Sequence, residues 1–128
     1  PGFESGFHVN MEGDKAAVRD GSVFEYCKLN DMVIQAWSVL QFGFFKGNFV
    51  GNEKFQALNQ VLNRLAQKYG VSPSAIAIAW VLRYPAKMQA VVGTTNPKHL
   101  IEASQSSNLT LTRKEWYEIY LAAGNDLP

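Results

Sequence analysis

Two short apolar runs, Met32–Trp37 and Gln89–Val92, lie on either side of a stretch with the periodicity of two helices. That spacing constrains the fold more than any other feature. Strands joined through a helical crossover run parallel within one sheet. A parallel pair needs both faces covered and both edges paired, and two strands alone supply neither. The chain therefore reads as the end of a larger parallel sheet or barrel, with the earlier strands expected upstream of residue 1.

Residues 1–21 contain Pro1, Gly2, Gly6, Gly13 and Gly21 and keep no period. They are expected to form loop, with Phe7–Asn10 a short extended piece. Ser22 can cap a short helix through Val23, Phe24, Tyr26, Cys27 and Leu29, before Asn30-Asp31 turns into the first strand, 32–37. In that strand Met32, Ile34 and Ala36 form a small apolar face. Val33, Gln35 and Trp37 form a mixed one, as suits a barrel wall with helices outside and a polar mouth within. Residues 38–52 are a long loop carrying Phe42, Phe44, Phe45 and Phe49, aromatics that must pack on something.

An amphipathic helix over 53–69 places Phe55, Leu58, Val61, Leu62, Leu65, Ala66 and Tyr69 at helical spacing, and Gly70 ends it. Ser72-Pro73 opens a helix over 73–84 that is apolar nearly all round, so it should be covered on more than one side. Tyr84-Pro85 stops it. A second strand over 88–92 leads into a helix over 97–106. Thr112-Arg-Lys-Glu115 is a capping box for a last helix to 123.

Composition excludes several classes. Apolar residues make up 47% of the chain and charged residues 18%, so a core can form. A net charge of +1 without any Lys/Arg run argues against nucleic acid or an anionic membrane as partner. There is no apolar stretch of membrane length, and the opening residues do not resemble a secretory leader. The single cysteine, Cys27, permits no internal disulfide and suits a reducing compartment, so the expected location is cytoplasmic. Cys27 itself is expected to be a buried thiol. No metal-ligand cluster, Ser-His-Asp order or paired carboxylates stand out.

The segment Gln89–Leu100 holds the main functional signal. Gly93 frees the backbone to turn, Thr94, Thr95 and Asn96 are capping types, and Pro97 suits the first helical position. Lys98 and His99 then fall in the first turn, where the helix dipole favours an anion rather than a cation. One reading is a phosphate subsite at the C-terminal end of a strand. The other is an ordinary strand-to-helix turn with two solvated basic residues.

Gln35-Ala-Trp-Ser-Val-Leu40, Ala77-Ile-Ala-Trp-Val-Leu-Arg83, Val92-Gly-Thr-Thr-Asn-Pro97, Leu111-Thr-Arg-Lys-Glu-Trp-Tyr117 and Ala122-Ala-Gly-Asn-Asp-Leu-Pro128 together resemble the C-terminal part of bacterial aldo-keto reductases. The resemblance runs over nearly all of residues 18–128. It implies an α/β fold, the C-terminal portion of a (β/α)₈ TIM barrel, in an oxidoreductase that uses NADP, with NAD possible, to reduce small aldehydes or ketones. By this resemblance the two strands are the seventh and eighth of the barrel.

The resemblance also implies site roles. Trp37 matches a ring stacked on the nicotinamide, against the alternative of plain core packing. Ser38 and Leu40 match positions bordering the pyrophosphate, although Ser38 could be a simple turn hydroxyl. Gly93, Thr94 and Thr95 match the turn around the adenosine ribose and its 2′-phosphate. Lys98 is a nearby cation or a solvated lysine, His99 stands where many members carry arginine against the adenine, and Glu102 lies one turn on.

Val39 in place of proline, Gly93 in place of a lysine, His99 in place of arginine and Ala103 in place of asparagine depart from the pattern and weaken the preference for NADP. The family's catalytic aspartate, tyrosine, lysine and histidine would lie upstream of residue 1. The tyrosines present (Tyr26, Tyr69, Tyr84, Tyr117 and Tyr120) are expected among apolar neighbours and not as proton donors, and His8 has no motif around it. The expectation for residues 1–128 is therefore a partial barrel that supplies part of a cofactor site, carries no catalytic residues and binds no metal. It should associate with itself or with a partner chain. The alternative is a non-catalytic binding or scaffold module that docks through its Phe-rich loop and open strand edge.

Overall fold

A computed structural model describes residues 22–42 and 46–127. The expected loop over 1–21, the extended piece Phe7–Asn10, His8 and the Phe44-Phe45 pair lie outside the described residues. Helix α1 spans Ser22–Leu29 and strand β1 spans Ile34–Trp37. A 3₁₀ turn, Glu53–Phe55, leads into α2, Gln56–Tyr69, and α3 covers Pro73–Leu82. Strand β2 is Met88–Val91, followed by α4, Pro97–Ser104, a 3₁₀ turn Gln105–Asn108, and α5, Arg113–Ala122.

β1 and β2 pair in parallel, with Ile34 opposite Met88 and Trp37 opposite Val91. The two helices between them make the crossover that their order in the sequence requires. β1 starts two residues later than its apolar pattern suggests, and the end of α1 explains why. Asp31 takes a left-handed conformation (φ 55°), its N–H donates to the Lys28 carbonyl, and the Met32 N–H reaches back to Cys27 at 2.8 Å. Met32 is thus engaged in closing the helix, in the pattern of a Schellman turn, and pairing begins at Ile34. Cys27 is half-buried rather than buried, because α1 seats on the body of the protein mainly through Phe24, which packs on Tyr84 at 5.0 Å.

The core lies between helices. Leu58, Leu62, Leu65 and Ala66 of α2 meet Ile76, Ala77 and Ala79 of α3, with Leu111 and Ile119 closing the far side. α3 is buried from Ala75 to Ala79 and packs against α2, α4, β2 and the second 3₁₀ turn, which accounts for its nearly unbroken apolar surface. Its start follows the local rule. The Ser72 hydroxyl accepts the Ala75 N–H and Pro73 takes the first position, where an N–H would have no helical partner.

α5 opens on the expected capping box, with Thr112 and Glu115 bonding each other's N–H groups. α3 and α5 are joined by a reciprocal pair. The Trp80 indole donates to the Trp116 carbonyl and the Trp116 indole to the Trp80 carbonyl, both at 3.0 Å, with the rings stacked at 4.7 Å.

Candidate functional site

The register that sets Trp37 opposite Val91 brings the C-terminal ends of both strands to one edge. The segments Trp37–Leu40 and Val92–Asn96 leave from neighbouring strand ends, which places Trp37, Ser38, Leu40, Gly93, Thr94 and Thr95 after adjacent strands and Lys98, His99 and Glu102 on α4 beyond them. Side chains alternate across a strand, and Gln35 lies on the same face as Trp37. Gln35 donates to the side chain of Gln89 at 3.1 Å, so this face carries a polar rung beneath the indole. Trp37 is 51% exposed, which excludes plain core packing within the described residues.

Ser38 has φ +55°, a left-handed backbone that a non-glycine residue adopts only where its surroundings hold it. Its carbonyl accepts the Gln41 N–H at 3.0 Å, which fixes the backbone of this turn, and Ser38 itself is half-buried. Leu40 packs its side chain on the core, and its carbonyl accepts the Phe49 N–H at 3.0 Å. Gln41 and Asn48 form an antiparallel bridge. Phe42 and Phe49 turn inward onto Phe55, with ring separations of 5.0 and 6.4 Å. The described aromatics of the loop thus answer the packing demand within the chain itself.

On the other strand, Gly93 is exposed, with open space where a side chain would stand. Thr94 accepts the Asn96 N–H at 3.1 Å, and Asn96 caps α4 by accepting the Lys98 N–H at 3.0 Å. Pro97 has no N–H, and the Leu100 N–H bonds the Asn96 carbonyl. The first turn therefore keeps one backbone donor, that of His99, without an acceptor among the described residues. Thr95 and His99 are exposed. Lys98 is exposed and stands 3.9 Å from the Glu102 carboxylate one turn along, a loose surface pair. Thr94 and Thr95 thus lie in the turn that enters α4, and Lys98, His99 and Glu102 lie on its first turns, with Lys98 and Glu102 in contact.

Two polar clusters had no clear signature in the sequence. Asn59 is buried within α2, and its side chain makes four hydrogen bonds to the backbone of residues 49–55. The available signal was a polar residue at an apolar-stripe position, between Leu58 and Leu62. The second cluster corrects the expectation for Tyr69, whose hydroxyl is not among apolar neighbours. It donates to Glu115 at 2.6 Å, while Lys68 pairs with the other carboxylate oxygen.

Burial pushes the Glu115 carboxyl up, but hydrogen bonds from Lys68, Tyr69 and the Thr112 backbone outweigh it and bring the pKa down to about 2. The same contact with Glu115, aided by burial, raises the Tyr69 hydroxyl above its usual value. Every partner in this cluster is a structural one, and it sits between α2 and α5 rather than at the strand ends. Among the described residues no group of three or more His, Cys, Asp or Glu could hold a metal ion, and no helix is long and apolar enough to cross a membrane.

Comparison with known proteins bears on the fold and the family. The chain is 37% identical over 94 residues to a 6-dehydroglucose reductase of Agrobacterium fabrum, covering 72% of this chain and 30% of that protein. It is 30% identical over 95 residues to the oxidoreductase YdhF of Escherichia coli, covering 73% and 30%. The chain thus spans about a third of the length of the curated relatives it matches. The fold superposes on the crystal structure of the thermostable aldo-keto reductase Tm1743 with a TM-score of 0.59 at 24% identity, over 82% of this chain and 33% of that one. The architecture is α/β, a portion of a (β/α)₈ barrel. With residues 15–122 also matching the profile of the aldo/keto reductase family, the chain belongs to that family.

Proposed function

We propose that this chain forms part of an NAD(P)H-dependent oxidoreductase that reduces aldehydes or ketones, and that it supplies one wall of the cofactor site. The observation that carries this reading is the convergence of two groups at the C-terminal ends of adjacent parallel strands. One is the exposed Trp37 ring with the fixed Ser38 turn, and the other is the Gly93–Asn96 turn that opens α4. Ligand sites of α/β barrels form at this edge.

The residues fit a dinucleotide by their chemistry. Trp37 offers an aromatic face to the nicotinamide ring, and Ser38 and the Leu40 backbone border the pyrophosphate. The open space at Gly93 admits a close approach, and Thr94, Thr95, Lys98 and the His99 N–H suit the ribose and its phosphate. His99 and Glu102 flank the adenine end. When bound, the reduced nicotinamide supplies a hydride to the carbonyl carbon. The residues of this chain orient that ring and hold the anionic end. The resemblance assigns the proton for the carbonyl oxygen to groups outside this set, and Tyr69 and Tyr84 are engaged elsewhere, with Glu115 and Phe24. The exposed Lys98 favours NADP, although its pairing with Glu102 leaves NAD within reach. A single cysteine and the family resemblance support a cytoplasmic setting.

The competing reading, a scaffold module docking through its Phe-rich loop and open strand edge, keeps the edge but loses described loop surface. Phe49 is only 8% exposed and Phe42 is packed on Phe55. Titration with NADPH and NADH followed by nicotinamide fluorescence tests the cofactor reading. The enzyme containing these residues should bind NADPH, whereas the 128-residue chain alone should show little affinity and no carbonyl reduction. Tight binding by the chain alone would overturn the view that it is only one wall of the site. The intact mass of the native protein bears on the same point, since a partial site calls for a protein well above 14.3 kDa.

A further inference from the structure

The loop after β1 has an anchor that the cofactor reading does not use. Asn59 is 9% exposed, one turn into α2. Its Oδ1 accepts the Gly51 N–H at 2.7 Å. Its Nδ2 shares its two N–H donors among the carbonyls of Phe49, Asn52 and Phe55 at 2.9, 3.1 and 3.0 Å. A buried amide satisfied on both ends fixes the backbone around it, because each lost bond would leave a buried polar group unpaired. Gly51 meets Asn59 with φ +77°, a conformation that favours glycine.

From Phe49 the connection continues toward the site. The Phe49 N–H donates to the Leu40 carbonyl, Gln41 bridges Asn48, and the Gln41 N–H donates to the carbonyl of left-handed Ser38. Nothing else among the described residues ties the Ser38–Leu40 turn to α2 by hydrogen bonds. We propose that Asn59 is the positioning residue of this turn, holding Ser38 and Leu40 in place beside Trp37 through Phe49. The purpose of this anchor rests on the cofactor reading above, whereas its geometry does not.

Amide exchange measured by NMR on the whole chain tests it. In the unaltered protein the N–H groups of Gly51, Phe49 and Gln41 should open together, with one common protection. Asn59→Asp keeps the size of the side chain but turns an acceptor toward three carbonyls, and Asn59→Ala removes the anchor. Both should speed exchange at Phe49 and Gln41 by about tenfold or more relative to Ile78, and should shift the Trp37 indole resonance. The Trp80 and Trp116 indole resonances should stay in place and certify the fold. Ile119→Val, a core change on the opposite side, controls for general loss of stability and should leave the ratio of Gln41 to Ile78 unchanged.

Equal effects in Ile119→Val and the Asn59 variants would overturn the proposal. So would independent opening of Gln41 and Gly51 in the unaltered protein, a result obtainable even if both variants unfold. NADPH titration of the enzyme separates the two readings. Weaker NADPH binding in Asn59→Asp with coupled exchange supports both. Coupled exchange in an enzyme that takes up no NADPH supports the anchor and overturns the cofactor reading.

Discussion

Trp37 and Lys98 carry opposite kinds of information. Trp37 is an aromatic ring left half in solvent at a strand end, which nothing in the described core requires. Replacing it with alanine should weaken cofactor binding in the enzyme by about 0.5–1.5 kcal/mol, the scale of an aromatic stack beyond its buried area. Nicotinamide fluorescence titration measures this directly, and unchanged affinity would remove Trp37 from the site. Lys98 is a cation in the first turn of α4, where the helix dipole opposes it and only a loose pair with Glu102 compensates. A phosphate with more than one negative charge can displace such a pair. Lys98→Glu should therefore weaken NADPH more than NADH, and the gap should shrink as salt rises. Lys98→Gln guards against a local helix effect, since a glutamate at that position also repels Glu102. Equal loss of both cofactors in the two variants would remove the phosphate subsite. The positions of both residues, at the end of a strand and in the first turn of a helix, were legible in the sequence because they depend on immediate neighbours, whereas their roles rest on the family resemblance and on the titrations above.

At the scale of elements, local chemistry was legible and side chains meeting across elements were not. Ser72, Asn96 and Thr112 cap their helices as their positions require, and Gly70 closes α2 in a left-handed turn. Each effect lies within four residues, so the sequence contains it. Asn59 reaches back to a loop that keeps no period, and the Lys68–Tyr69–Glu115 cluster joins segments far apart in the chain, so no local period announces either. Arg64 pairs with Glu118 across the same two helices and was equally hidden. Thr112→Ala should cost about 1 kcal/mol of stability through the lost cap, measured by urea unfolding. The Glu115 cluster adds a dependence on pH. Its carboxyl has a folded pKa of about 2, below the ordinary 4.5, so the unfolded chain binds the proton more readily in between. The stabilisation is thus fully present above the ordinary value and is lost as pH falls toward 2. The stability gap between the unaltered protein and Glu115→Gln should be widest above about pH 5 and close on acidification. A gap independent of pH would mean that the charge of Glu115 contributes nothing.

For the whole molecule, the order of elements and the parallel pairing were legible because capping and turn residues mark the helix ends, and two strands joined through a helical crossover run parallel. What pairs with the outer edges of the sheet was not, since there is no third strand among the described residues. Each strand has one hydrogen-bonded neighbour among them, and so each leaves one edge open. Met32, Val33, Trp37, Val91 and Val92 are exposed on and beside these strands, while the helical core behind them is closed. Open edges present rows of unpaired N–H and C=O groups, and exposed apolar side chains lower the cost of burying them. The chain as given should therefore associate at low micromolar concentration, with itself or with polypeptide that supplies further parallel strands. Sedimentation should show a species heavier than 14.3 kDa. Because the contact would run through strand edges, a charge placed on the open face should dissociate it. Val33→Lys, at an exposed position just before β1, should shift the distribution toward monomer without changing the helical signal. A compact, stable monomer in the unaltered chain would show that two parallel strands with these flanking helices suffice by themselves. An assembly insensitive to Val33→Lys would place the contact elsewhere, and the exposed Leu100 and Ile101 of α4 would be the next surface to alter.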